Sequence, residues 1–122
     1  MFKKMKKHKK VVMNFLSAFV ENLNTLYIMP RTHAETQEER DKDPKAVCAR
    51  YELGKNFKKV IVKAVKSLTY ADYKETLFDK KYNSGDLYVF RKVVKGVPLY
   101  VKLQISTTTG DSCVKSFHEW YD

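Results

Sequence analysis

Only four glycines, three prolines, two cysteines and one tryptophan occur among the 122 residues. So little glycine leaves no Gly-rich phosphate loop, and no Gly-x-Ser-x-Gly turn is present to lift a hydrolase serine. Cys48 and Cys113 are too few for a disulfide scaffold. Neither has a second cysteine or a histidine at ligand spacing, and His8, His33 and His118 share none, so neither a metal nor another cofactor is expected. Two isolated thiols fit a reduced, cytoplasmic compartment. No apolar run approaches the roughly 18 residues of a membrane span. The start, basic to Lys10 and apolar from Val11 to Val20, has the outline of a signal peptide. However, Asn14 and Ser17 break the run, no small-x-small cleavage pattern follows, and Glu21 and Asn22 come next. A core-facing helix is preferred there to one lying on a membrane, and no membrane partner is expected.

Acidic residues are also in short supply: 14 Asp and Glu face 24 Lys and Arg, for a net charge of +10. Lys3, Lys4, Lys6, Lys7, Lys9 and Lys10 precede residue 11 without one acid among them, which suggests a basic tail over residues 1–10. The remainder, residues 11–122, has the size and 43% hydrophobic content of a single domain that buries roughly two-thirds of its unfolded surface. A field this positive attracts polyanions; solubility is the ordinary alternative.

Hydrophobic spacing places the elements. Val12, Phe15, Leu16, Phe19, Val20 and Leu23 recur in steps of three and one, the stripe of an amphipathic helix. Thr25 to Met29 is short and β-prone, and Pro30 ends it. Ala34 to Lys45 reads as a short exposed helix and loop. Asp43-Pro44 then opens a helical turn through Ala46, Val47 and Tyr51, with Gly54 as its stop. Asn56 starts the clearest helix, with Phe57, Val60, Ile61, Ala64, Val65 and Leu68 on one face and Lys55, Lys59, Lys63 and Lys66 opposite, an ordinary solvated face. Ser67 and Thr69 close it, and Ala71 to Lys74 begins a different style of chain.

From Gly85 the period becomes two. Leu87–Val94, a Lys95-Gly96 turn, Val97–Ser106, a turn through Gly110, and Cys113–His118 make a three-strand antiparallel meander. In the middle run Leu99, Val101, Leu103 and Ile105 face the helices, while Tyr100, Lys102 and Gln104 face away. The expected fold is therefore α+β, with N-terminal helices on one face of a small antiparallel sheet. Phe57, Ile61, Val65, Leu99, Val101 and Leu103 belong to its core.

The polar sheet face is where chemistry can sit, because it carries Tyr100, Lys102 and His118, flanked by Arg91, Lys92 and Lys74. Metal-free RNA cleavage needs a base for the 2′-OH, a cation for the phosphorane and an acid for the leaving 5′-oxygen. Lys, Arg, Tyr and His can divide these roles, and His118 titrates nearest neutrality. Tyr100 can equally be a cross-strand packing aromatic and His118 a structural histidine. A basic RNA- or protein-binding module without cleavage is the rival reading.

Four segments taken in order narrow the choice: Leu68-Thr69-x-x-Asp72-Tyr73, Gly85-Asp86-Leu87-Tyr88-Val89-Phe90, Leu99-Tyr100-Val101-Lys102-Leu103 and Ser116-Phe117-His118-Glu119. In order and spacing, over about residues 55–120, they resemble the MqsR family of toxins from type II toxin-antitoxin systems. The resemblance implies a compact fold related to RelE-like and barnase-like ribonucleases, metal-independent mRNA cleavage that stops translation and growth, and inhibition by a cognate antitoxin protein. It implies that Tyr100 is the family's functional tyrosine and Lys102 the basic residue two places on. His118 stands where some members carry a functional lysine after Phe, and Lys74 or Glu75 takes another lysine's place. Val89 replaces a glutamine found in some members. Arg91 and Lys92, with Lys3, Lys4, Lys6 and Lys7, are the expected RNA contacts.

Overall fold

The computed structural model describes residues 2–79 and 84–121. In chain order they form β1 (Phe2–Met5), α1 (Lys9–Glu21), β2 (Tyr27–Ile28), α2 (Gln37–Arg40), α3 (Pro44–Arg50), α4 (Phe57–Lys66), β3 (Tyr73–Asp79), β4 (Leu87–Val94), β5 (Val97–Ile105) and β6 (Ser112–Glu119). The strands make one sheet in the order β1-β3-β4-β5-β6-β2. All neighbours are antiparallel except β2 and β6, which run parallel. The fold is α+β, as expected, and no helix among the described residues is long and apolar enough to cross a membrane.

Local chemistry sets the helix ends. The Asn56 side chain accepts from the Lys59 amide at 3.3 Å to start α4, and Asp43 does the same from Ala46 at 3.3 Å to start α3, where Pro44 costs no hydrogen bond. The Lys95-Gly96 pair has positive φ at both residues (49° and 80°), the geometry that joins twisted β4 and β5 most directly. Gly85 has no substitute for a different reason, since a Cβ there would lie 2.8 Å from the Ile105 carbonyl oxygen.

Two apolar clusters sandwich the sheet. On one face, α1, α3 and α4 bury Val12, Leu16, Phe19, Val47, Ile61 and Val65 against Phe90, Leu99, Val101, Leu103 and Phe117. Phe57 packs at the edge of this cluster, half-buried. The other face, away from α1, α3 and α4, carries a small cluster of Leu77, Leu87 and Val89, joined by Tyr100 and Trp120. That second face carries the polar residues.

The basic tail is a misreading. Phe2–Met5 pair along β3, with Lys3 opposite Phe78 and Met5 opposite Thr76, and Lys9 and Lys10 already belong to α1. Lys7 is a structural ion: its ammonium is bonded to Asp86 and, at 3.0 Å, to the Tyr88 hydroxyl, while its backbone N–H donates to Tyr73 at 3.0 Å. Burial opposes its charge, but the bonds to Asp86 and Tyr88 prevail and raise its pKa. Lys3, Lys4 and Lys6 stay exposed, the ordinary state of lysines at a sheet edge that must not recruit further strands.

Candidate active site

Strand register builds the site as a grid on the face away from α1, α3 and α4. One rung crosses three strands through Arg91, Tyr100 and His118, and the next crosses four through Glu75, Val89, Lys102 and Ser116. Successive rungs lie about 7 Å apart along a strand, and facing residues about 5 Å apart across it. Tyr100 and His118, separated by 18 positions in sequence, thus become a stacked pair with ring centroids 5.1 Å apart and planes at 10°. Trp120 leans on Tyr100 at 5.6 Å, and Tyr121 lies over His118 at 6.0 Å. Val89, fully buried on the adjacent rung, belongs to the apolar cluster on which Tyr100 and Trp120 pack.

The other wall comes from the loop that carries α2. The backbone N–H of Arg31 donates to the buried Asp43 carboxylate at 2.8 Å, which fixes where its side chain departs. Its guanidinium donates to the Ser116 hydroxyl (2.9 Å), the Lys115 carbonyl (3.1 Å) and Glu39 (2.7 Å). Lys42 adds a second bond to Glu39 at 3.3 Å, and its ammonium also lies 6.0 Å from the Tyr121 ring. Arg31, Lys102 and Lys115 line one hollow of about 210 Å³ with Met29, Leu87 and Gln104.

These surroundings set the protonation states. Burial lowers the His118 pKa, and the charges of Lys42 and Arg31 lower it further against the bond to the Glu119 carbonyl. The ring is neutral at pH 7. Its Nδ1 lies 2.9 Å from that carbonyl, which can only accept, so Nδ1 carries the proton and Nε2 the free lone pair. Burial likewise raises Tyr100, with Glu75 adding to the effect, so the phenol keeps its proton. Lys102 is lowered, first by burial and then by Arg31 and Lys115, which makes its ammonium a readier proton donor than an ordinary lysine. A neutral base, a retained phenol and an activated ammonium therefore share two adjacent rungs.

Of the residues expected from sequence, Tyr100, Lys102, His118 and Arg91 come together here. Lys92 does not. It faces the helix side opposite Leu99, within 3.7 Å of Asp72 and 3.4 Å of the Ser67 carbonyl. Lys74 is the extra residue of a bulge between Tyr73 and Glu75, exposed, while Glu75 takes the grid position opposite Val89. Arg31, Glu39, Lys42 and Lys115 escaped the sequence reading because nothing local marks Arg31, a loop residue whose partners Lys115 and Ser116 lie 84 and 85 positions away, and the other three gather around it. Larger hollows of about 470 and 380 Å³ occur along α4 and at its groove with the β4–β5 turn, but no His, Asp, Glu or Tyr lines either of them. Among the described residues no three His, Cys, Asp or Glu side chains gather at a metal-binding distance. Cys48 and Cys113 are both buried free thiols, and burial pushes Cys48 up to about 11, so neither is a nucleophile.

Searches against protein-family models, curated proteins and solved structures find no match to the chain.

Proposed function

We propose that this chain is a metal-independent endoribonuclease of the MqsR toxin type, cleaving mRNA in the cytoplasm, arresting growth and held in check by a cognate antitoxin protein. The observation that carries this reading is the stacked Tyr100–His118 pair one rung from Lys102. In the proposed reaction His118 Nε2 removes the 2′-OH proton, and the 2′-oxygen attacks the adjacent phosphorus. The Lys102 ammonium neutralises charge on the phosphorane and protonates the departing 5′-oxygen, with the Tyr100 hydroxyl donating to a non-bridging oxygen. Base and acid are diagonal neighbours on adjacent strands, roughly 7–8 Å apart at the backbone, room for a phosphodiester between them. The products are a 2′,3′-cyclic phosphate and a 5′-hydroxyl. Trp120, Tyr100 and Tyr121 offer rings on which the flanking bases can stack.

The test is cleavage of end-labelled single-stranded RNA in EDTA. Both product ends should be as stated, DNA should resist, and His118→Ala and Tyr100→Phe should each slow cleavage by on the order of 10²-fold, the size of an acid–base contribution. In cells, Tyr100→Phe should relieve growth arrest. Strict magnesium dependence, or full activity in both variants, would falsify the assignment and leave a non-catalytic RNA- or protein-binding module.

A further inference from the structure

Arg31 is built like an anion receptor that already holds an anion. Its side chain is 20% exposed, its backbone is tied to Asp43, and its Nε–H is buried without a partner. The Glu39 carboxylate bridges it to Lys42, one oxygen to each cation at 2.7 and 3.3 Å. The two sides of this bridge are held very differently. Glu39 is 43% exposed and sits on α2, a single helical turn that buries none of its residues. An element with so little packing opens readily. The hydrogen bond to Lys42 first, and then the charges of Lys42 and Arg31, keep the Glu39 carboxyl ionised.

The bridge also sits in register with the site. Arg31 bonds the Ser116 hydroxyl, and Ser116 is the residue directly opposite Lys102. The guanidinium therefore lies one strand beyond Lys102. A phosphodiester presents the same two-oxygen fork to a guanidinium as a carboxylate does, and the stronger bonds are those with both oxygens engaged.

We propose that Arg31, its guanidinium held from below by the buried Ser116 hydroxyl, and Lys42 are a seat for the phosphodiester next to the one cleaved, and that Glu39 is a resident anion the RNA strand displaces. The identity of that strand rests on the nuclease reading. Glu39 thereby sets a threshold for RNA entry: a single stray anion competes poorly with a tethered carboxylate, whereas a polyanion gripped at Lys102 delivers its next phosphate at high effective concentration.

The probe is a fluorescein-labelled decamer of 2′-O-methyl RNA, which has no free 2′-OH to attack with, followed by fluorescence anisotropy. Glu39→Gln should bind it about fivefold more tightly than wild type, the factor of one half-exposed ion pair removed from competition. Glu35→Gln makes the same change in net charge on the same loop, at an exposed residue outside the bridge, and should shift affinity less than twofold. Arg31→Ala in the Glu39→Gln background should abolish the gain; if circular dichroism shows that protein unfolded, Lys42→Gln makes the comparison. Equal binding by Glu39→Gln and Glu35→Gln, a gain that survives loss of Arg31 or Lys42, or no measurable binding at all overturns the seat. Tightening in Glu39→Gln together with inert wild-type protein on ordinary RNA would keep the seat and remove the nuclease reading. Cleavage without tightening would do the reverse.

Discussion

Replacing Asp43 by alanine tests how the site loop is held. Asp43 is 6% exposed and its carboxylate accepts from two backbone amides, Arg31 at 2.8 Å and Ala46 at 3.3 Å, so one side chain both starts α3 and anchors Arg31. Losing the cap costs about 1 kcal/mol, and leaving the part-buried Arg31 amide without an acceptor adds roughly 1–3 kcal/mol. The sum is about 3 kcal/mol. For a chain of this length the unfolding entropy is about 0.25 kcal/mol/K, so the melting temperature should fall by roughly 10 °C. Asp43→Asn keeps one acceptor oxygen and should lose about half as much. Urea and thermal unfolding followed by circular dichroism measure both. An alanine variant within about 0.5 kcal/mol of wild type, or an asparagine variant as damaged as alanine, would refute the reasoning. Well below its melting point the alanine variant should still cleave RNA poorly, because Arg31 has lost its anchor.

Phe117→Ala, at a fully buried position under the helices, should cost about 3–5 kcal/mol in the same unfolding assay. Acidification from pH 7 to 5 should destabilise the wild-type protein. The unfolded chain takes up the His118 proton near pH 6.5 but the folded chain only at lower pH, so the slope reaches at most about 1.4 kcal/mol per pH unit. His118→Phe should flatten that slope, whereas Glu39 and Glu119, both held below the ordinary carboxylate value of 4.5, add their losses only at lower pH. Cleavage should follow a bell-shaped pH profile, its acid limb set by a group below 6.5 and its alkaline limb by one below 10.5. Deleting residues 1–7 should lower stability measurably, because β1 and the Lys7 bonds go with them; a melting temperature unchanged by the deletion would mean that the segment does not pair with β3.

Much of the architecture follows from residue order alone. The α4 stripe, the Asn56 and Asp43 caps, the Lys95-Gly96 turn and the alternation of Leu99, Val101 and Leu103 are local patterns, and each became the element it spelled out. The same alternation put Tyr100 and Lys102 together on the far face, because residues two apart in a strand share a side. β3 was hidden because the bulge at Lys74 leaves Tyr73 and Thr76 both buried, a spacing of three that no strand template matches. β1 was hidden because two lysines in a four-residue edge strand read as a tail. Only the folded chain decided that His118 stacks on Tyr100, that Glu75 and not Lys74 takes a grid position, and that Arg31 reaches Ser116. Register between strands and the path of a loop are set by contacts far apart in sequence. Those contacts exist only once the sheet has closed, and with them come the burial and the neighbouring charges that set the protonation of the site.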